Sequence, residues 1–474
     1  MSIDIIEKLI SFEDKYSEEL MTWEYKGINF WPCIRTPVFM GIEQKFEGSI
    51  NRNLGGYSTF DKISLWYKIF RNSMKLPKNP YFYMPDMKIV YVNSAITRVL
   101  EVNGKKFDRI SDFFAIENQH ISLTMEDNYL GRHNPPEYIS NIKYTDSIFL
   151  YSKLKNLFIK DRNLHNNAKG FISLVKQYIT SNLEKSVDLE HIFSNAFSTI
   201  ITSIKIAAEM YKLIKKTGCK LVSIEECCYG GYRSLLAMML KADGIKVFEI
   251  QHGNSSNKHI AYNYGVTPIT YLKYLPDYFF THGQYWSDVL ERLPVNKLVI
   301  GNPYLAEQVR TYNKSNEQQT EKKRILIVSS TTDSFVAVIK ELRVLLPLEY
   351  HITFRLHPIE IQFRAERYSE LENVPGIEIN ENDGIFDCIR THDYVVGEHS
   401  TTLFEAIPFG KKIFILDTYY SKAHMPKNMG IWFSEAKDLA DFILKDCKNE
   451  DFAPSYYWTL DWQEKFNNFI NIHL

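Results

Sequence analysis

The chain has 474 residues, of which 45% are hydrophobic and 24% charged, with a formal net charge of −1. That length suggests two or three domains, and the composition is that of a globular protein rather than a disordered one. Without a strongly basic half the usual footprint of a nucleic-acid-binding protein is missing. Cys33, Cys219, Cys227, Cys228, Cys388 and Cys447 form no CxxC pair and read as reduced thiols of a cytosolic protein.

Residues 1–85 read as a helical N-terminal extension. MSIDIIEKLISFEDKYSEEL is acidic and amphipathic, unlike a signal peptide. No run of about 18 apolar residues follows that would span a membrane. DKISLWYKIFRNSMKLPK (61–78) mixes Leu65, Trp66, Ile69, Phe70 and Met74 with Lys62, Lys68, Arg71 and Lys75. Such a helix either packs on the next domain or lies on an anionic membrane surface.

From 86 to 300 the pattern predicts a Rossmann-like domain. KIVYVNS (88–94) is a buried strand, and a long polar, helix-rich region follows to about 217. KLVSIEE (220–226), GYRSLLAMMLKADG (231–244) and IKVFEIQHG (245–253) then form a β-α-β unit. Residues 301–450 predict a second such domain, with NKSNEQQTEKKR (313–324) near the start of its sheet. Its strands are RILIVSS, HITFRLHP, IEIN, DYVVGEHS and KKIFILD, with helices between them that include IEIQFRAERYSELEN. Residues 451–474 are a C-terminal helix and tail that can cross back. The fold class is α/β, two Rossmann-like domains facing a cleft.

Ligands in such sheets bind beyond the carboxyl ends of the strands. Five polar positions fall there: Glu225 and Glu226, His252, His357 and Ser400. A carboxylate after KLVSI can deprotonate an acceptor hydroxyl, or be one half of a salt-bridged pair. Strand alternation turns Glu226 to the same side as Ile224, toward burial and a raised pKa. His252, before the permissive Gly253, suits a general base, a donor contact or a turn. Arg355, His357 and Pro358 end one strand of the second domain. Ser400, Thr401 and Thr402 open a helix after another, where hydroxyls and free N–H groups favour an anion. Glu405 lies one turn on, placed for a capping box or for ribose hydroxyls. Gly301, Asn302 and Pro303 make a tight turn after an apolar strand, as hinge or cleft wall. Sequential strands are often neighbours, which would let His357 and Ser400 converge on one phosphate. The sequence contains no P-loop, GxGxxG, HExxH or D-x-D. That argues against NAD, ATP or zinc chemistry and against a metal-dependent transferase, so no cofactor is expected.

EIQHG, VIGNP, ITFRLHP and DYVVGEHSTTLFEAIPFGKKIFI, in that order, resemble bacterial capsule and lipopolysaccharide glycosyltransferases of GT-B architecture. Two branches are similar. In the CMP-sugar-using sialyltransferases and Kdo transferases, an acidic pair, a His-Pro and a Ser-Thr pair look like Glu225-Glu226, His357-Pro358 and Ser400-Thr401. The resemblance implies a carboxylate base and a CMP held by the later two motifs. Cys227 and Cys228 intervene here before Gly230, where that family has Gly directly. In the CDP-glycerol glycerophosphotransferases, a His-Gly, an Arg-x-His-Pro and a Ser-rich helix start look like His252-Gly253, Arg355 to Pro358 and Ser400-Thr401, and the resemblance implies a histidine base. Glu398-His399 stands where that family has Asp-Tyr. The implied partners are a nucleotide-sugar donor, CMP-linked by preference, and a saccharide or lipid-linked acceptor at the inner membrane.

Overall fold

The protein is described by a computed structural model covering residues 2–47, 59–158, 161–182, 188–314, 323–330, 334–358, 360–448 and 453–474. Most of the polar 313–324 stretch, and the Lys62 side chain, lie outside the described residues. The chain divides into two compact units. One comprises the residues up to His282, Trp286–Pro303 and Asp461–Leu474; the other comprises Gly283–Tyr285 and Tyr304–Leu460.

The first unit is built on seven parallel strands: β1 (Ile89–Ser94), β2 (Ser122–Asp127), β3 (Ile142–Tyr144), β4 (Leu221–Ile224), β5 (Lys246–Ile250), β6 (Tyr278–Thr281) and β7 (Asn296–Val299). Their spatial order is β7-β6-β5-β4-β1-β2-β3. The chain starts mid-sheet, runs out to β3, and returns through helices Asp146–Phe158, Arg162–Asn182 and Glu190–Lys215 to lay β4 beside β1. Alternation along the strands serves two faces. Val90, Val92, Val222, Ile224 and Val247 join a core shared with helices Ser2–Thr22, Trp31–Glu47 and Glu190–Lys215. Tyr91, Phe248 and Phe280 turn the other way. There Phe466 and Phe469 of the closing helix, Trp462–His473, meet the two phenylalanines. A buried ion pair fixes the N-terminal helices, with Arg35 Nε 2.6 Å from Glu13 Oε1.

The second unit has six parallel strands: β8 (Arg324–Val328), β9 (His351–Arg355), β10 (Ile377–Asn380), β11 (Tyr394–Gly397), β12 (Lys412–Leu416) and β13 (Ile431–Phe433). Their order is β10-β9-β8-β11-β12-β13. Ile325, Ile327, Ile352, Phe354, Val396 and Phe414 fill the core, with helices Ser334–Leu345 and Ala436–Leu444 packed on them. Both units therefore have the doubly wound, Rossmann-like order in which winding reverses beside the first strand.

Three expectations need correction. The helix-rich region up to 217 also contains β2, β3 and a hairpin of Arg98–Val102 with Lys105–Asp108. β2, SLTMED, is buried at every position although four of its six residues are polar or charged. Its Glu126 is paired inside the protein with Arg98 and His133, so no apolar run marks the strand. The helix expected over IEIQFRAERYSELEN is a series of short turns, Ile361–Phe363, Arg364–Arg367 and Ser369–Leu371. Finally, β9 and β11 are not neighbours, because β8 lies between them.

Candidate active site

The carboxyl ends of β1 and β4 flank the reversal point of the first sheet, where the connections part and leave a crevice. Glu225 continues the β4 pairing by one bond, its N–H donating to Val92 O at 2.9 Å. Its carboxylate then folds across β1 and accepts the Ser94 N–H at 2.6 Å. Burial holds this carboxyl well above its ordinary pKa, with Asp108 adding to the effect and Arg233 opposing it. The residue that gains from burial is thus Glu225. Glu226 has left the strand, with φ 54° in the left-handed region, so alternation no longer governs where it points. Its partly exposed carboxylate pairs with Arg233 Nη1. Arg233 also reaches Asp127, which ends β2 and accepts from Thr145 Oγ1 at 2.6 Å and from Tyr232 OH.

His252, two residues beyond β5, is half-buried within a linked set of rings. Tyr229 OH lies 3.4 Å from His252 Nε2 and 2.9 Å from His259 Nε2, and Tyr262 OH lies 3.5 Å from His252 Nδ1. Tyr262 OH donates to Glu249 Oε1 at 2.8 Å, and Glu249 Oε2 accepts the Cys228 N–H at 3.0 Å. Burial lowers the His252 pKa and takes that of His259 down to about 4, while Glu249 is pushed up to about 7. A neutral imidazole at physiological pH can accept a proton, and the phenols connect it to a buried carboxyl that can hold one.

In the second sheet the reversal lies between β8 and β11. Ser329 and Ser330 follow β8; Glu398, His399 and Ser400 follow β11. The His399 N–H approaches Ser330 Oγ at 3.5 Å. Ser400 is the N-cap of the six-residue helix Thr401–Ala406, its hydroxyl accepting the Thr402 N–H at 3.3 Å. Thr401 is exposed, Thr402 buried and Glu405 half-buried. Buried Glu398 accepts from Thr418 Oγ1 at 2.6 Å. Beyond β9, exposed His357 and Pro358 begin a turn braced by Glu360. That carboxylate accepts from Ser329 Oγ at 2.5 Å, from the His357 N–H at 3.3 Å and from Arg367 Nη1 at 2.9 Å. Arg355 turns toward the neighbouring strand, its Nη1 donating to Asn380 O at 3.2 Å.

The structure thus gathers Glu225, Glu226 and His252 on one sheet edge, and Arg355, His357, Pro358, Ser400, Thr401, Thr402 and Glu405 on another. His357 and Ser400 end strands two spacings apart, about 10 Å, with Ser329 and Ser330 between them. Gly301, φ 112°, and Asn302 belong to the first unit, beyond β7 at its edge. Sequence reasoning passed over Arg233, Tyr229, Glu249, His259, Tyr262, Ser329 and Glu360. Arg233 follows the acidic pair by one helical turn plus a loop, and QHGNSSNKHIAY holds His252, His259 and Tyr262 in one short stretch, so both were visible as patterns. Among the described residues no group of three His, Cys, Asp or Glu side chains could hold a metal ion.

No family model matches the sequence, and no curated protein sequence matches it. The chain is similar to solved structures at low identity. The UDP-GlcNAc 2-epimerase of Methanocaldococcus jannaschii, solved with UDP-GlcNAc and UDP, is 13% identical and aligns over 81% of this chain and 100% of its own, with a TM-score of 0.45. The glycotransferase of kitacinnamycin is 10% identical over 82% of this chain and 100% of its own, TM-score 0.44. The wall teichoic acid polymerase TagF, soaked with CDPG, is 13% identical over 86% of this chain and 92% of its own, TM-score 0.38.

Proposed function

We propose that this chain is a glycosyltransferase moving a sugar from a nucleotide-activated donor, CMP-linked Kdo or a sialic-type acid by preference, onto a growing surface polysaccharide or lipid-linked acceptor. It works without metal or cofactor in the cytoplasm, at the inner membrane face, with residues 86–300 handling the acceptor and 301–450 the donor. The observation that carries this reading is the set of titratable groups at the carboxyl edge of the first sheet, buried Glu225 beside the reversal point and half-buried His252 linked through Tyr262 to buried Glu249. A base there removes the proton of an acceptor hydroxyl, and the freed oxygen attacks the anomeric carbon. The bond from that carbon to the donor phosphate breaks, and negative charge grows on the phosphate. His357, Ser400 and Thr401 supply donors for such a charge, and oriented donors act most strongly where charge develops.

One observation favours a second reading, polyol-phosphate transfer from a CDP-linked donor. The linked rings give His252 a built path for its proton, whereas Glu226 is tied to Arg233. In that reaction the polyol hydroxyl attacks the outer phosphorus and CMP departs. Thermal unfolding with CMP, CDP, UDP, GDP and dTDP tests the donor class, since a ligand that binds the folded state raises the midpoint. A cytidine nucleotide should give the largest shift, and no shift with any of the five removes both readings. Turnover of Glu225→Gln, Glu226→Gln and His252→Ala then separates them. Loss of about 10²–10⁴ on removing a base is expected at the carboxylates for sugar transfer and at His252 for polyol-phosphate transfer.

A further inference from the structure

Helix Thr59–Ser73 presents its residues to water in the reverse of the usual order. Ile69, Asn72 and Ser73 face inward, and Asn72 Nδ2 donates to Asp146 Oδ1 at 3.1 Å. The outward stripe is Ile63, Tyr67, Phe70 and, just past the helix end, Met74, spaced i, i+4, i+7 and i+11. These side chains are 64%, 64%, 52% and 61% exposed. A helix facing only water would carry polar residues there. At about 100° per residue, Ser64, Lys68, Arg71 and Lys75 fall together on one flank of that stripe.

Ser64 and Lys68 on this flank also line a cavity of about 350 Å3, closed by Leu65, Tyr129, Leu130, Arg132 and Asn134. Its far wall is a tight turn after β2. Tyr129 and Arg132 exchange backbone hydrogen bonds at 2.9 and 3.0 Å, and Leu130 and Gly131 are both at positive φ, as a two-residue hairpin turn requires. Gly131 lets this turn press on the helix, for a Cβ there would meet Lys68 Cβ at 2.9 Å. Asn72 Nδ2 donates to Gly131 O at 3.2 Å and locks the two together. Among the described residues neither Lys68 nor Arg132 has an ion-pair partner. The cavity is therefore a pocket with two cations and an aromatic ring in its lining, opening beside an apolar stripe; the amide of Asn134 is held by the Arg98 carbonyl at 2.9 Å.

We propose that this pocket binds a phosphate-bearing lipid in a bilayer, with the phosphate at Lys68 and Arg132. The chains run along Leu65 and Leu130, and the Ile63–Met74 stripe sits in the interface. An apolar stripe beside a basic flank is the pattern that binds anionic membrane surfaces. The pocket lies at the end of β2, on the same sheet edge as Glu225 and His252. Three strand spacings separate β2 from β5, about 14 Å, so a head group carried on that phosphate reaches toward His252. The inference rests on the proposed transfer to a lipid-linked acceptor and names the place where that acceptor is held.

Flotation of the full chain with vesicles tests it. Vesicles of phosphatidylcholine alone are compared with vesicles also containing phosphatidylglycerol, for wild type, Lys68→Ala/Arg132→Ala and Ile63→Ser/Phe70→Ser. Binding to the anionic vesicles should fall roughly thirtyfold in the first variant, from about 1 kcal/mol per cation near an anionic surface, and the second should lose binding to both compositions. Lys68→Gln/Arg132→Gln, which keeps polar side chains at the surface, should reproduce the first loss, and thermal unfolding verifies that each variant folds. Equal binding by all proteins overturns the proposal. Release by inorganic phosphate, with the Ile63→Ser/Phe70→Ser variant binding as wild type, also overturns it, because the pocket would then take free phosphate. Vesicle binding needs no turnover, so failure of the transferase reading shows separately, as a missing nucleotide-induced thermal shift.

Discussion

The two sheet edges share a topology and differ in chemistry. At the first, ionisable groups are buried or half-buried and hydrogen-bonded: buried Glu225 on Ser94, buried Glu249 on Tyr262, half-buried His252 among tyrosines. At the second, hydroxyls and an exposed imidazole stand around Ser329 and Ser330, and the buried carboxylates Glu360 and Glu398 are occupied as braces. Burial makes protonation sensitive to small changes, which suits proton transfer. Exposed neutral donors on short connections suit the holding of a charged ligand that enters and leaves. The same winding thus offers two kinds of site, and the local side chains decide which.

The sharpest way to break this contrast is to remove one imidazole from each edge. If the first edge moves protons through His252, as polyol-phosphate transfer requires, His252→Ala lowers turnover by about 10²–10⁴ and leaves nucleotide affinity near wild type; for sugar transfer the same loss falls on the carboxylates. If the second meets phosphate charge, His357→Ala lowers turnover by roughly 10²–10³ while the fold survives. Ser400→Ala/Thr401→Ala should weaken nucleotide binding as well. Calorimetric affinity beside turnover for each variant separates the roles, and matching profiles for the two histidine variants would end the distinction.

A smaller effect sharpens the account of the first edge. Folding raises Glu249 from its ordinary 4.5 to about 7 through burial. Between those values the unfolded chain releases this proton and the folded chain keeps it, so the contribution to stability is full below about 4.5 and is lost as pH rises toward 7. At 1.36 kcal/mol per pKa unit the loss is about 3 kcal/mol. His259, lowered to about 4 by burial, acts oppositely and costs stability as pH falls from its ordinary 6.5. Glu249→Gln should therefore flatten the neutral side of a stability–pH profile and leave the acid side in place. Denaturant midpoints across that range measure it, and an unchanged neutral slope would remove Glu249 from the linked set.

The smallest expected effect concerns the second edge. Ser400→Ala removes the acceptor for the Thr402 N–H and should cost about 1 kcal/mol of unfolding free energy, as loss of an N-cap does. Ser400→Asp restores the cap and should restore stability, while its charge repels a phosphate. Stability recovered without nucleotide affinity would separate the capping role from a ligand role.

The amino-acid sequence by itself determined much of this protein. Apolar runs such as KIVYV, RILIV and DYVV, alternating with helices of regular period, dictate parallel α/β sheets, and the polar residues that end those runs fall at the carboxyl edges of the sheets. It also placed Glu225, His252, His357 and Ser400 at strand ends, where the structure has them. Tertiary structure decided the rest. β2 is a central strand because Arg98 and His133 neutralise Glu126 from elsewhere in the chain, an exchange no local pattern displays. Glu226 lost its expected burial to a single left-handed residue, and Glu225 gained it by reaching the Ser94 N–H across the sheet. β8 came to lie between β9 and β11 because winding reverses there, a matter of strand order rather than chain order. Periodicity is written residue by residue, whereas strand order, charge pairing and burial depend on contacts between distant segments, and these exist only once the chain has folded.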